Sequence, residues 1–211
     1  MSEIIQGSDE WRQLRLGKVT ASRVADMVAK TKSGWGASRA NYAAQLIAER
    51  LTGVAAEGYT NAAMLHGTET EPEARNAYAF YSGMDVTEVA FVPHPLIGDA
   101  GCSPDGLVNP DGQIEIKCPM TNTHIDTLLG QSTPARYIDQ IQFQLACTGR
   151  AWCDFVSYDP RLPENMRLFV RRVMRDDKRI AELETEAVAF LKEISDRLAR
   201  LENLYGEKAA A

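Results

Sequence analysis

No run of about 18 apolar residues occurs in the 211-residue chain, so no segment has the length and character of a membrane-spanning helix. An apolar leader is missing too, and the expectation is a soluble, cytoplasmic protein with no membrane partner. The four cysteines, Cys102, Cys118, Cys147 and Cys153, form no Cys-x-x-Cys pair. That argues against a zinc knuckle or an iron–sulfur cluster and fits reduced thiols in a core. His66, His94 and His124 have no metal-ligand spacing and receive no role. A basic excess is also lacking: the net charge of −6 works against nucleic-acid binding, because duplex affinity comes mostly from Lys and Arg on phosphate.

The charge is unevenly spread. Acidic residues gather in the C-terminal third, whereas Arg12, Arg15, Lys18, Arg23, Lys30 and Lys32 cluster early, so a locally basic groove is compatible with the acidic total. A hydrophobic content of 45% supports a sizeable core, and without repeats or low-complexity segments residues 1–211 read as a single domain.

Ser103 to Pro119 carries the densest chemistry. Asn109-Pro110-Asp111-Gly112 is a turn signal between two short β-type runs, with Pro110 pre-set for the second turn position and Gly112 free to take positive φ. A type I turn closed by a glycine bulge pairs Asn109 with Gln113 and sets Asp105 opposite Lys117. Side-chain alternation then puts Asp105, Glu115 and Lys117 on one face and turns Ile114, Ile116 and Cys118 towards a core. Asp105 and Glu115 can supply hard oxygen ligands to Mg²⁺, with the Ile116 carbonyl as a third and phosphate oxygens and water completing the shell. Lys117 can orient or deprotonate a water, or stabilise charge in the transition state. Pro104-Asp105 followed by Glu115-Ile116-Lys117 resembles the PD-(D/E)-x-K nuclease motif, although an exposed hairpin face with ordinary surface pairing has the same residue types.

Elsewhere the elements follow from caps and periodicity. Ser8 caps a short helix through Trp11 and Leu14 that ends at Gly17, and Thr20-Ala21-Ser22 opens a second through Val24, Met27 and Val28. Arg15, Thr20 and Ser22 thus gather at a helix start, either as a phosphate pocket or as ordinary capping beside a surface arginine. Residues 30–36, including Lys32 and Ser33, read as a Gly-rich basic loop with one aromatic, able to track a nucleic-acid backbone or serve as a connector. Ser38 begins a core helix closed by Gly53. Thr60 to Tyr81 is helical in pattern but interrupted at Pro72, where Thr70 and Glu73 form a capping box, so the helix kinks or a new one starts. Glu71 in that turn is either a third acid facing Asp105 and Glu115 or a solvated helix acid. Strands are expected over 86–95, 97–108, 113–118, 151–158 and 167–174. Helices are expected from Thr123 and from Thr133-Pro134, the latter with Gln140 and Gln144 four apart on one face, and a long amphipathic helix from Asp176 to Tyr205. The fold class is α/β, with a central mixed sheet of about five strands flanked by helices.

Four stretches taken together resemble the phage lambda exonuclease family, the alkaline exonucleases and YqaJ-like viral recombinases of the PD-(D/E)xK superfamily. They are residues 11–22 (Trp-Arg-Gln-Leu-Arg-Leu-Gly-Lys-Val-Thr-Ala-Ser), Ser103 to Gly106, Glu115 to Pro119, and Tyr158-Asp159-Pro160-Arg161, in order over nearly the whole chain. The resemblance implies a restriction-endonuclease-like core and a toroidal homotrimer that threads duplex DNA and degrades the 5′-ended strand processively. A 3′ overhang would be left for a single-strand annealing protein. It implies Asp105 and Glu115 as metal ligands with the Ile116 carbonyl, Lys117 as the catalytic lysine, Glu71 as a further active-site acid and ligand, and Gln140 as a glutamine beside the site. Arg15, Ser22 and Ser103 match the pocket for the terminal 5′-phosphate, Met64 a wedge that splits the end base pair, and Lys32, with Thr20, residues near the DNA. Thr123 stands where the family pattern has an arginine.

The expected function is a Mg²⁺-dependent 5′→3′ double-strand DNA exonuclease using two ions, with Mn²⁺ as a substitute. Its rivals are an endonuclease of the same superfamily, a CRISPR-associated four-cysteine nuclease, disfavoured by the scattered cysteines, and a non-catalytic scaffold docking a recombination partner through the acidic C-terminal helix.

Overall fold

The computed structural model describes residues 4–32, 34–56 and 62–206; the expected helix start at Thr60 and the loop residue Ser33 lie outside them. Helix α1 (Asp9–Arg15) is capped by Ser8, whose hydroxyl accepts the Trp11 N–H at 3.1 Å, and leads to β1 (Val19–Thr20). The second helix expected from Thr20 is instead a 3-10 turn, Ala21–Arg23, followed by the four-residue α2 (Val24–Met27). The Gly-rich stretch forms a small hairpin, β2 (Lys30–Thr31) and β3 (Gly34–Trp35), before α3 (Ala37–Thr52), which ends on Gly53 at φ +67°.

Helix α4 (Ala62–Ser82) runs unbroken through Pro72. The expected capping box does not form: the Thr70 hydroxyl bonds His66 Nδ1 at 3.2 Å, and Glu73 accepts from the Tyr158 hydroxyl at 2.7 Å. Proline costs α4 one backbone bond, but burial of Ala74 and Tyr78 against the sheet outweighs that loss.

The strand expected over 86–95 is broken into β4 (Val86–Thr87) and β5 (Val92–Pro93), and that over 97–108 into β6 (Ala100–Cys102) and β7 (Gly106–Val108). Then come β8 (Gly112–Lys117), α5 (Thr121–Gly130), a 3-10 turn at Ala135–Tyr137, α6 (Ile138–Thr148), β9 (Trp152–Tyr158), β10 (Leu168–Met174) and α7 (Asp177–Tyr205), capped by Asp176. The main sheet has five strands in the order β10-β9-β8-β7-β4, with β8 parallel to β9 and the remaining pairs antiparallel. A second sheet, β1-β6-β5, sets β1 parallel to β6 and so brings Thr20 beside Gly101.

As the central strand, β8 is buried on both faces. Ile114 and Ile116 pack on Ala74 and Tyr78 of α4, while Gln113 and Glu115 face α6. Another core cluster, including Met27, Tyr42, Phe143, Leu183 and Phe190, joins α2, α3, α6 and α7. The stripe on α7 expected to dock on its own core does so through Leu183, Ala187, Phe190 and Ile194. No described helix is long and apolar enough to cross a membrane, and all four cysteines are buried free thiols.

Candidate active site

The ribbon forms, with a different turn. Val108 pairs with Gly112, Leu107 with Gln113 and Gly106 with Ile114, without a bulge, so each β7 residue faces β8 two positions earlier than expected. Continued one step, this register sets Asp105 opposite Glu115 rather than Lys117. An even slip preserves the faces, and the three polar side chains remain together. Positive φ falls on Asn109 (+48°), not on Gly112. Glycine at 112 is needed for another reason: a Cβ there would lie 2.1 Å from the Trp152 ring.

Asp105 stands just before β7, where the ladder has not begun. Its Oδ2 accepts the Ile116 N–H at 2.6 Å, replacing the missing strand partner. Because the N–H and C=O of one strand residue point the same way, the Ile116 carbonyl is aimed at the Asp105 side as well. Glu115 is 1% exposed, and its carboxylate is gripped from several directions. Lys117 Nζ ion-pairs with Oε1, Gln140 Nε2 donates to Oε1 at 2.5 Å, and Gln144 Nε2 donates to Oε2 at 2.6 Å. Glu71 comes from α4 and pairs with Arg75 at 2.6 Å, while Arg75 Nε donates to the Asp105 main-chain carbonyl at 3.0 Å.

The electrostatics follow from this crowding. Burial, then the nearby Glu115 and Glu71 charges, push the Asp105 carboxyl well above its usual range. Burial likewise raises Glu71; Arg75 opposes that rise and Glu115 adds to it. Burial alone would lower the Lys117 ammonium, but Glu115 and Asp105 outweigh it and raise its pKa, so Lys117 is a cation here. Lys117 Nζ also lies 5.3 Å from the centre of the Tyr137 ring, which stacks on Phe155. Among the described residues no three His, Cys, Asp or Glu side chains form a complete ion cage. Two carboxylates and a carbonyl with no nitrogen or sulfur donor nevertheless suit Mg²⁺, which takes one or two carboxylates and leaves the remaining positions to substrate phosphate and water.

A second cluster adjoins the first. Arg15 Nη1 donates to Ser103 Oγ at 3.0 Å and Nη2 to Ser22 Oγ at 3.2 Å, with the guanidinium 4.3 Å over the Trp11 ring. Trp11 Nε1 also donates to Ser103 Oγ, at 2.9 Å, and the Thr20 and Ser22 hydroxyls lie 3.4 Å apart. Arg15, Thr20, Ser22 and Ser103 are therefore brought together by α1, β1 and the end of β6. Arg15 has no ion-pair partner among the described residues, and burial lowers its pKa, with Tyr42 opposing that shift. A guanidinium surrounded by hydroxyls has the chemistry to take an anion. Only Pro104 separates Ser103 from Asp105, so their Cα atoms are at most about 7 Å apart. Gln6 Nε2 anchors that bridge on the Pro104 carbonyl at 2.9 Å.

Met64 is exposed on α4 two turns before Glu71. Lys32 is exposed in the β2–β3 hairpin, which leans on α7 through Lys30 and Glu186; no contact among the described residues joins it to the Asp105 cluster. Sequence reasoning did not assign roles to Gln144, Arg75, Tyr137 or the Trp11 indole. The four-residue spacing of Gln140 and Gln144 was the visible signal for the first. The others act through contacts across distant elements.

Residues 10–151 match the YqaJ-like viral recombinase domain family. No curated protein matches the chain. Among solved structures, an alkaline exonuclease (LHK-Exo) from Laribacter hongkongensis is 53% identical, with TM-score 0.87 over 93% of this chain and 97% of that one. LHK-Exo in complex with dAMP aligns over the same shares at 53% identity and TM-score 0.88. A phage related exonuclease from Haemophilus somnus 129PT, 16% identical, shares the fold, with TM-score 0.72 over 90% of this chain and 99% of that one.

Proposed function

We propose, for a chain that belongs to the YqaJ-like viral recombinase family, a divalent-metal-dependent exonuclease that degrades the 5′-ended strand of duplex DNA and leaves a 3′ overhang. The observation that carries this reading is the adjacency of two oppositely charged clusters. An acidic one, Asp105 and Glu115 with Glu71, and a cationic one, Arg15 with Ser22 and Ser103, are joined by the three residues Ser103-Pro104-Asp105. Ser103 and Asp105, one from each cluster, are only two residues apart, so a terminal 5′-phosphate on Arg15 would set the next phosphodiester towards Asp105. The name of the 53% identical structure, an alkaline exonuclease, supports the same reaction class.

Asp105, Glu115 and the Ile116 carbonyl would hold Mg²⁺, with Glu71 nearby for a second ion. The ions would polarise the scissile phosphate and lower the pKa of a bound water. Lys117, held cationic by its carboxylate neighbours, would stand against the negative charge that develops on the phosphorane. Arg15 would supply direction, since a 5′-phosphate gains a charge-assisted contact that a 5′-hydroxyl lacks. Met64 would wedge apart the terminal pair, and Lys32 would steady the backbone. The same family likeness supports a single nuclease domain over residues 1–211, a homotrimer around duplex DNA and a single-strand annealing partner.

The test is nucleotide release from linear and covalently closed duplex DNA with Mg²⁺. Mononucleotides from 5′-phosphorylated ends, with closed circles left intact, are expected. Cutting of circles, release from 3′ ends or no release at all would each overturn the reading.

A further inference from the structure

Gln140, Gln144 and Thr148 follow one another at four-residue intervals along one face of α6, and that face lies over Gln113 and Glu115 of β8. Their polar groups connect in one direction. The Thr148 hydroxyl donates to Gln113 Oε1 at 2.8 Å, the shorter of its two acceptor distances beside the Gln144 main-chain carbonyl at 3.0 Å; Gln113 Nε2 donates to Gln144 Oε1 at 3.3 Å, and Gln144 Nε2 donates to Glu115 Oε2 at 2.6 Å. Gln113, Gln144 and Glu115 are 0%, 1% and 1% exposed, so water does not substitute for a missing partner. Reversing the Gln144 amide would set its oxygen against the carboxylate and its NH₂ against the Gln113 amide, leaving buried groups unsatisfied.

We infer that Gln144 is a positioning residue, seated by Gln113 and Thr148, that fixes the rotation of the Glu115 carboxylate and thereby sets how well the site meets the geometry of Mg²⁺. The inference rests on the metal reading above. Gln140 and Lys117 both meet Oε1, so Oε2 would be the unanchored end of Glu115 without Gln144. A carboxylate free to swing still serves a tolerant ion but serves Mg²⁺ poorly, since Mg²⁺ demands a near-ideal octahedron. Residues that orient ligands in this way govern metal affinity by about 10- to 100-fold when removed.

The test compares wild type with Gln144→Met and Thr148→Val; the latter alters a residue whose hydrogen bonds go to Gln113, the Gln144 main chain and Arg150 rather than to Glu115. Mn²⁺ binding is followed without DNA by the electron paramagnetic resonance signal of the free ion, and Mg²⁺ and Mn²⁺ dependence by nucleotide release. Gln144→Met is expected to weaken Mn²⁺ binding and to raise the half-activating Mg²⁺ concentration by about 10- to 100-fold, more than that of Mn²⁺. Thr148→Val is expected to move both in the same direction by about two- to tenfold, the loss of one neutral hydrogen bond. Wild-type-like Mn²⁺ binding and Mg²⁺ dependence in Thr148→Val would overturn the relay even if Gln144→Met failed to fold. An equal shift for both ions in Gln144→Met would overturn the geometric claim. If wild type itself bound no Mn²⁺ and released no nucleotide, the nuclease reading would fall along with the inference built on it.

Discussion

The carboxylates at the two ends of β9 and those of the β7–β8 ribbon share one sheet, yet the protein neutralises them differently. Asp154 receives both forks of Arg172 at 2.8 Å and the Tyr78 hydroxyl at 2.8 Å. Asp159, 0% exposed, is held by Arg161 through Nε at 2.7 Å and Nη2 at 3.0 Å. Arg161 also reaches the Pro119 carbonyl at 3.2 Å, so this pair clamps the segment leaving Lys117. Among the described residues, the Asp105 and Glu115 carboxylates receive no guanidinium. They have an amide N–H, two glutamines and one lysine, and Asp105 is pushed up where Asp159 is held down. Arg75 gives its charge to Glu71 and Glu88 and a main-chain contact to Asp105. Buried acid matched by arginine is structural, whereas buried acid left short of positive charge is the expected setting for a divalent ion.

The comparison breaks most visibly at Lys117. Lys117→Ala should lower nucleotide release by about 10²- to 10⁴-fold; appreciable turnover would move the chemistry to another group. Arg15→Ala should cost about 10- to 100-fold on 5′-phosphorylated ends and little on 5′-hydroxyl ends, measured on otherwise identical duplexes. Asp159→Asn should lose about 2 kcal/mol of stability in urea melts, because Arg161 is left unpaired at a partly exposed position. Asp105→Asn should keep or gain stability while losing cleavage, and equal destabilisation by the two substitutions would erase the distinction.

Acid sharpens the contrast by a smaller amount. Burial alone would raise the Asp159 carboxyl, but hydrogen bonds from Arg161 and Thr121 bring it down to about 2. Its folded value lies below its unfolded one, so its stabilisation is complete above about pH 4 and is lost as pH falls through about 2, an effect of about 2 kcal/mol. Urea midpoints from pH 5 to pH 2 should therefore fall less steeply for Asp159→Asn than for wild type.

Local signals in the sequence were enough for the ribbon's faces, the Ser8 cap, α7 and the strands β9 and β10, because each is written in neighbouring residues. The register was misjudged by two positions: the turn chemistry was assigned to Gly112, whereas Asn109 takes the left-handed conformation and Trp152 claims the space over Gly112. Parity survived that error, and so did the cluster. Pro72 misled because its local cost is outweighed by the packing of Ala74 and Tyr78, which no short window reveals. The two-residue pairing of β1 with β6 is too brief to leave a periodic trace, yet it brings Ser22 towards Ser103. Gln144 was visible as a helical repeat of Gln140, but its target, the far oxygen of Glu115, belongs to a strand 29 residues earlier.

The central claim is that Asp105 and Glu115 together hold a divalent ion. Crystals soaked in Mn²⁺ and measured at the manganese absorption edge test it most directly. An anomalous peak between these two carboxylates and beside the Ile116 carbonyl is the predicted result; manganese bound elsewhere, with both carboxylates still facing only Lys117, the glutamines and the Ile116 N–H, would contradict it.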